Sequence, residues 1–171
     1  MDSHVNAFYE QPCTVLDRPT GSRSSGCLVM DLPFSPLAAN AARKGAVAAL
    51  TGHSRADLVD GARLICSELA ANAFRSGSPP LVLAVDWAAG PGDLLDVEIT
   101  LTDGGSGQAA EHRTAAALPA DDAEGGRGLG IVQILAARWS LDVGTDLSRA
   151  WCLLRSAPAA HTSAIAGGDT S

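Results

Sequence analysis

The sequence predicts an α/β (α+β) two-layer sandwich, in which a mixed, mainly antiparallel sheet carries helices on one face. Two patterns favour this fold class. Apolar residues recur every three or four positions from Leu58 to Ala73, which is typical of a helix with one buried face. Val97, Ile99 and Leu101 alternate with polar residues, as expected of a half-buried strand. The chain is therefore expected to pack amphipathic helices against one face of a sheet.

Apolar patterns and turn residues divide the chain into elements. The predicted elements are a strand over 27–32, helices over 35–50 and 56–76, a hairpin with strands over 81–87 and 94–102, a helix that begins within 125–130 and ends near 138–139, and strands over 140–143 and 150–154. Ser35 and Pro36 fit an N-cap and a first helical turn, and Gly77 fits the position after a helix end.

The predicted domain organisation is a folded domain between two polar termini. Residues 1–26 are expected to be a flexible N-terminal arm, residues 27–155 the folded domain and residues 156–171 a disordered C-terminal tail. Within the domain, residues 108–124 are polar and Ala-rich without a clear period. This segment is long for a passive connection, and long segments beside a site often close over a ligand, so we expect a lid.

Composition limits the classes of function. The 171 residues suit one domain, and 46% hydrophobic content with 4% aromatic residues indicates an aliphatic core. A formal net charge of −7 argues against direct binding to nucleic acid, and no apolar stretch reaches the roughly eighteen residues of a membrane span. The first ten residues lack the features of a secretory signal, and the cysteines lack paired spacing for zinc, so a cytoplasmic protein with reduced thiols is expected. The four cysteines are Cys13, Cys27, Cys66 and Cys152.

The first of three motifs is SELAANA at 67–73, within the predicted long helix. Glu68 and Asn72 are four residues apart and therefore lie one turn apart on the same helix face. Asn72 offers a hard oxygen ligand for Mg²⁺, and Glu68 a carboxylate that can orient water or take a hydroxyl proton. Considered alone, the pair is better explained as a solvated polar face of the helix, because helices commonly present such pairs.

The second motif is DGGSG at 103–107, directly after the predicted strand. A carboxylate at Asp103 can accept a hydrogen bond from the exocyclic amine of adenine, whereas guanine places an oxygen there and is rejected. Gly105 and Gly107 lack the Cβ atoms that would hold a ligand ring away. A plain Asp-Gly turn at a strand end is an equally good interpretation of this motif alone.

The third motif is GGRGLG at 125–130, followed by an apolar helical pattern. Glycines at a helix start expose backbone N–H groups that bind anions, and Arg127 adds a charge for a terminal phosphate. Ile131 and Val132 follow Gly130, where a P-loop needs Lys and Ser or Thr, and the polar stretch before the motif does not suit a dinucleotide fingerprint. A flexible glycine-rich hinge remains the alternative.

In this order and spacing, the motifs resemble those of the ATP-binding fold shared by histidine kinases, gyrase B and Hsp90, the GHKL or Bergerat fold. The resemblance covers 64–154 and is closest to small bacterial anti-sigma factors that are also serine/threonine kinases. Those proteins also carry a Pro-Pro pair after the first motif and a Trp in the last strand, matched here by Pro79, Pro80 and Trp151. Their first motif often ends in His-Gly, where this chain has Ser76 and Gly77.

The resemblance implies that the protein binds ATP and Mg²⁺, and it implies a role for each of the following motif residues. The implied roles are Mg²⁺ binding by Asn72, general base catalysis by Glu68, adenine recognition by Asp103 with Gly105 and Gly107, and phosphate binding by Gly126, Arg127, Gly128 and Leu129. It also implies a sigma factor and an anti-sigma factor antagonist protein as partners, with Arg43 in partner recognition, and pairing into a homodimer. Two other functions stay open: a non-catalytic ATP-binding regulator that sequesters its partner, and a free-standing ATPase.

Overall fold

Six strands and three helices make up the part of the chain that the computed structural model describes, residues 24–91, 94–107, 111–114 and 127–156. In chain order they are β1 (Ser24–Leu32), α1 (Ala38–Ala49), α2 (Ala56–Ser76), β2 (Leu81–Ala89), β3 (Leu95–Asp103), β4 (Glu111–Thr114), α3 (Arg127–Leu135), β5 (Arg138–Val143) and β6 (Ser148–Arg155). None of these helices is both long enough and apolar enough to cross a membrane.

The strands form one sheet in the order β1-β2-β3-β6-β5-β4, and each of its five pairings is antiparallel. Two helical passes, α1 and α2, separate β1 from β2, so the chain enters β2 in the direction opposite to β1. The hairpins β2–β3 and β5–β6 add further antiparallel pairs. The predicted mainly antiparallel sheet is therefore confirmed, and among the described strands no parallel pair accompanies it.

Alternation along the strands places one set of side chains against the helices. In β2 and β3 the helix-facing positions are almost fully buried, including Leu83, Val85, Val97 and Ile99. Small residues on the helices allow close packing: a Cβ at Gly45 of α1 would lie 2.5 Å from the sulfur of Met30. The predicted two-layer sandwich with helices on one face is confirmed.

Both ends of the folded domain differ slightly from the prediction. β1 begins at Ser24 rather than at Cys27, because residues 24–26 pair with the end of β2. Ser156, expected to begin the tail, is buried, and its hydroxyl oxygen accepts a hydrogen bond of 2.7 Å from the N–H of Leu95. Residues 1–23 and 157–171 lie outside the described residues, so the rest of the predicted arm and tail is untested.

Two elements near the predicted lid also differ. Residues 111–114 of that segment form β4, which pairs with β5 and brings the imidazole of His112 against the carboxylate of Asp142. The rest of the predicted lid, 108–110 and 115–124, lies outside the described residues. α3 ends at Leu135, and Arg138 and Trp139, expected at the helix end, begin β5 instead. Trp139 is buried there.

Candidate functional site

A cavity of about 350 Å³ lies between α2, α3 and the helix-facing side of the sheet. This volume is within the usual range of small-molecule sites, about 300–1,000 Å³. Its apolar lining consists of Leu69, Ala73, Leu101, Leu129, Leu141, Val143 and Ala150. The rest of its lining consists of Gly77 and the polar residues Asn72, Arg75, Ser76, Asp103, Ser106, Glu111 and Ser148. An apolar wall with a few polar groups suits a flat heterocycle joined to a charged group.

Asp103 ends β3 with its carboxylate buried in this cavity, at 8% exposure. One carboxylate oxygen accepts a hydrogen bond of 2.7 Å from the N–H of Gly105, and the hydroxyl of Ser148 on the neighbouring strand donates another. Burial raises the pKa of the Asp103 carboxyl above its usual 3.8, and the two hydrogen bonds lower it in part. The carboxylate is thus held in a fixed position and can accept further hydrogen bonds.

Gly77 brings the end of the first motif against the second. Its backbone is extended, with φ −100° and ψ −164°, and its N–H donates to the carbonyl of Ala73 at 2.8 Å, so no left-handed cap forms. A Cβ at Gly77 would lie 2.6 Å from the carboxyl carbon of Asp103. A glycine is needed here because the Asp103 carboxylate occupies the space of a side chain.

Asp103→Asn, which removes the buried charge, is expected to change how folding stability depends on pH. A carboxyl with a raised folded-state pKa binds its proton more tightly in the folded than in the unfolded chain. Its stabilising contribution is therefore complete below the unfolded value of 3.8 and is lost as the pH rises through the folded-state pKa. In urea titrations from about pH 4 to about pH 8, the unmodified chain should lose stability relative to the variant as the pH rises. A difference that is constant with pH would contradict this expectation.

The two glycines of the second motif have different surroundings. Gly105 and Gly107 both adopt positive φ, +86° and +67°. A Cβ at Gly105 would lie 2.4 Å from the carbonyl oxygen of Thr145, whereas a Cβ at Gly107 would meet nothing within 4 Å. Glycine is therefore required at position 105 because the β5–β6 loop approaches it closely, and not because a ligand ring needs room there.

Alanine at these two positions is expected to have unequal effects on stability. Gly105→Ala combines an unfavourable φ with a backbone clash and should lower the free energy of unfolding by about 2–4 kcal/mol. Gly107→Ala carries the φ penalty alone and should cost about 1–2 kcal/mol. Thermal or chemical unfolding of both variants measures the difference, and equal losses would argue against the tight contact with Thr145.

Asn72 stands on the cavity wall near the end of α2 and is half-buried. Its side-chain oxygen, Oδ1, accepts a hydrogen bond from the guanidinium of Arg75, one turn further along the helix. The Nε of Arg75 also donates to the carbonyl of Ala71 at 3.3 Å. The oxygen predicted to bind Mg²⁺ therefore belongs to a residue that lines the cavity, and it lies beside a cationic side chain.

The first turn of α3 lies directly against Glu68 and Asn72. A Cβ at Gly128 would lie 2.7 Å from the amide nitrogen of Asn72 and 3.3 Å from a carboxylate oxygen of Glu68. Glycine thus allows the N–H groups at the start of α3 to approach α2, and such groups lack helical partners and bind anions. Glu68 is half-buried beside the cavity and is outside its lining.

Residues of all three motifs therefore meet at one cavity. The structure brings Asn72, Asp103 and Leu129 to one cavity, with Glu68 at its edge. Gly126 and the side chain of Arg127 lie outside the described residues. The sequence analysis assigned no role to Ser148, Glu111 or Arg75, which also line the cavity. Of these three residues only Arg75 could have been predicted from the sequence, because it lies three residues after Asn72 on the same helix.

A comparison with protein families gives an independent result. Residues 32–151 match the histidine kinase-like ATPase domain, and this match spans more than half of the chain. The chain belongs to the histidine kinase-like ATPase family. The matched segment runs from the end of β1 into β6 and contains every described cavity residue. A comparison with curated proteins found no match.

Membership in the histidine kinase-like ATPase family implies binding of ATP, usually with Mg²⁺. The residues present fit both. The close approach at Gly128 leaves α3 N–H groups beside Asn72, whose amide oxygen is a hard ligand of the kind Mg²⁺ prefers. Among the described residues no group of three or more His, Cys, Asp or Glu could hold a metal ion. A single protein ligand supplemented by phosphates and water is the usual way in which Mg²⁺ is held beside a nucleotide.

Proposed function

We propose that this protein is an ATP-dependent anti-sigma factor that also phosphorylates a serine or threonine of an antagonist protein. The observation that supports this proposal best is the single cavity bordered by Asn72, Asp103 and Leu129, with Glu68 beside it. In this proposal Asp103 reads adenine, Asn72 binds the metal, and the start of α3, which includes Leu129, binds the phosphates. The half-buried carboxylate of Glu68 would receive the hydroxyl group of a second protein at the edge of the cavity.

In this proposal the chain binds and orients the nucleotide. Asp103 accepts a hydrogen bond from the adenine amine, and the apolar wall that includes Leu101 and Ala150 packs against the ring. Asn72 binds Mg²⁺ through Oδ1, and the N–H groups at the start of α3, with Gly128, face the phosphates. Gly126 and Arg127 belong to the same phosphate site by resemblance.

Glu68 acts on the second substrate, a hydroxyl group of the antagonist protein. ATP supplies the γ-phosphoryl group. The hydroxyl oxygen bonds to the γ-phosphorus, the bond from that phosphorus to the leaving oxygen of ADP breaks, and Glu68 takes the hydroxyl proton. Two observations suit this role: Glu68 is half-buried, and it lies next to the start of α3 at Gly128.

Regulation follows from which partner is bound in each nucleotide state. The predicted lid, 108–124, borders the cavity through Glu111 of β4. Nucleotide binding would change the surface that this segment presents, so a sigma factor would bind in one state and the antagonist in the other. Differential affinity of the partners for the two states is what makes such an exchange possible.

One observation favours a second candidate, a non-catalytic ATP-binding regulator that only sequesters its partner. Ser76 lines the cavity where related kinases often have His. A hydroxyl group is shorter than an imidazole and is not ionised near neutral pH, so this wall of the cavity differs chemically from theirs. Nucleotide binding through Asn72 and Asp103 does not need the residue at 76.

Transfer of radioactive phosphate separates these functions. The chain is incubated with γ-³²P-labelled ATP, Mg²⁺ and a panel of small antagonist proteins, each also supplied with its phosphorylated residue replaced by alanine. Label on a serine or threonine of an intact antagonist, and none on its alanine variant, supports the kinase. A stable complex without label supports the sequestering regulator, and rapid release of phosphate without any partner supports a free-standing ATPase.

A further inference from the structure

The oxygen through which Asn72 is proposed to bind Mg²⁺ already has a cationic partner from the same chain. Arg75 donates from its guanidinium to Oδ1 of Asn72 and from its Nε to the carbonyl of Ala71. Both contacts lie within the last two turns of α2, and Arg75 lines the same cavity as Asn72. Arg75 thus bridges the helix backbone and the metal-ligand oxygen.

The guanidinium of Arg75 and a magnesium ion cannot both bind the Oδ1 atom of Asn72 well. Mg²⁺ needs a ligand oxygen at about 2.1 Å in near-octahedral geometry. A guanidinium on the same oxygen would lie within a few ångströms of a doubly charged ion, and the two positive charges repel each other. The metal therefore binds well only after Arg75 has left Asn72.

Rotation of the Asn72 amide would break its hydrogen bond with Arg75, because it would turn the amide NH2, a donor, toward the guanidinium, which is also a donor. The nitrogen of the Asn72 amide faces the start of α3, where a Cβ at Gly128 would lie only 2.7 Å from it. The amide oxygen therefore lies on the side of Arg75 and the amide nitrogen on the side of α3. Movement of the exposed Arg75 side chain is the simpler way to free the oxygen.

From this geometry we infer that Arg75 competes with the divalent cation for Asn72 and so sets the Mg²⁺ concentration at which the nucleotide site fills. The inference rests on the proposed role of Asn72 in binding Mg²⁺ with ATP. At low Mg²⁺, Arg75 holds the amide oxygen. At high Mg²⁺, the cation displaces the guanidinium, which stays on the cavity wall.

The test is a Mg²⁺ titration of nucleotide binding, with a fluorescent methylanthraniloyl-ATP as probe. Arg75→Met keeps much of the side-chain length without its charge and is expected to lower the half-saturating Mg²⁺ concentration by roughly three- to tenfold, the equivalent of one lost hydrogen bond. Arg75→Lys keeps a cation and should need more Mg²⁺ than Arg75→Met. A matched control is Arg155→Met, because Arg155 pairs with Asp96 on the sheet face away from the helices.

The outcomes separate this inference from the proposed function. A lower Mg²⁺ requirement in Arg75→Met but not in Arg155→Met, retained in high salt that screens distant charges, supports the competition. Probe binding with an unchanged or higher Mg²⁺ requirement in Arg75→Met overturns it and leaves ATP binding intact. An unmodified chain that binds no probe at any Mg²⁺ concentration overturns the proposed function together with this inference.

Discussion

A chain with Asn72 replaced by alanine is expected to lose the Mg²⁺-dependent part of its ATP affinity. Asn72 places an amide side chain on the cavity wall next to the start of α3, and its oxygen is the proposed ligand of Mg²⁺. An interaction with a charged group contributes about 1.5–3 kcal/mol, so the affinity measured with Mg²⁺ should fall roughly 10- to 100-fold. Calorimetric titration with ATP in the presence and absence of Mg²⁺ separates the metal-dependent part from the rest.

Asn40→Ala provides the matched control for this variant. Asn40 is an exposed asparagine on α1, so the same chemical change there should leave both titrations unaltered. The decisive comparison is the gain in ATP affinity when Mg²⁺ is added. If Asn72→Ala shows the same gain as the unmodified chain, the metal is bound elsewhere and the assignment of Asn72 is wrong.

Glu68→Gln is expected to bind ATP normally and to lose phosphoryl transfer. The substitution keeps the size of the side chain and its place beside Gly128 but removes the carboxylate that we propose takes the hydroxyl proton. General base catalysis typically contributes about 10²- to 10⁴-fold to a rate, and transfer should slow by that factor. The measurement is single-turnover transfer of labelled phosphate to the antagonist, with ATP affinity determined on the same sample.

A glutamate on the other face of the sheet controls for the loss of one negative charge. Glu98 of β3 is exposed and accepts a hydrogen bond of 3.3 Å from the indole of Trp151, so Glu98→Gln keeps an acceptor there. Its transfer rate should equal that of the unmodified chain. Transfer by Glu68→Gln at the same rate as by Glu98→Gln would remove Glu68 from the mechanism.

Features with a local signal were predicted correctly. α2 spans Ala56–Ser76, as its apolar period indicated, because one face of this helix is buried along its whole length. The alternation of apolar residues in β3 was likewise sufficient to predict its buried face. Asp103 is the last residue of this strand. Local periodicity reports burial directly, so elements with a continuous buried face are predictable from sequence.

Features that depend on distant partners were not predictable. β4 has the sequence EHRT, without apolar alternation, and forms because β5 pairs with it. Ser156 looked like part of a polar tail, yet it is buried through its hydrogen bond with Leu95. The reason for glycine at 105 lies in the carbonyl of Thr145, forty residues along the chain. No periodicity contains information of this kind.

The contact between Arg75 and Asn72 is an intermediate case. Spacing on a helix indicates that residues three apart are neighbours. Spacing does not indicate which acceptor Arg75 will bind, because water, the helix carbonyls and the amide oxygen of Asn72 can all accept a hydrogen bond from its guanidinium. In the structure Arg75 donates hydrogen bonds to Asn72 and to the carbonyl of Ala71. The inferred competition with Mg²⁺ rests on the bond to Asn72.

The central claim is that the three motifs build one adenine-specific, Mg²⁺-assisted nucleotide site. Calorimetric titration of the unmodified chain with ATP and with GTP, each with Mg²⁺, tests it most directly. In the proposed site Asp103 would accept a hydrogen bond from the amine of adenine but would face a carbonyl oxygen in guanine, so ATP should bind at least about tenfold more tightly than GTP. Equal affinity for the two nucleotides, or no binding of ATP, would contradict the account.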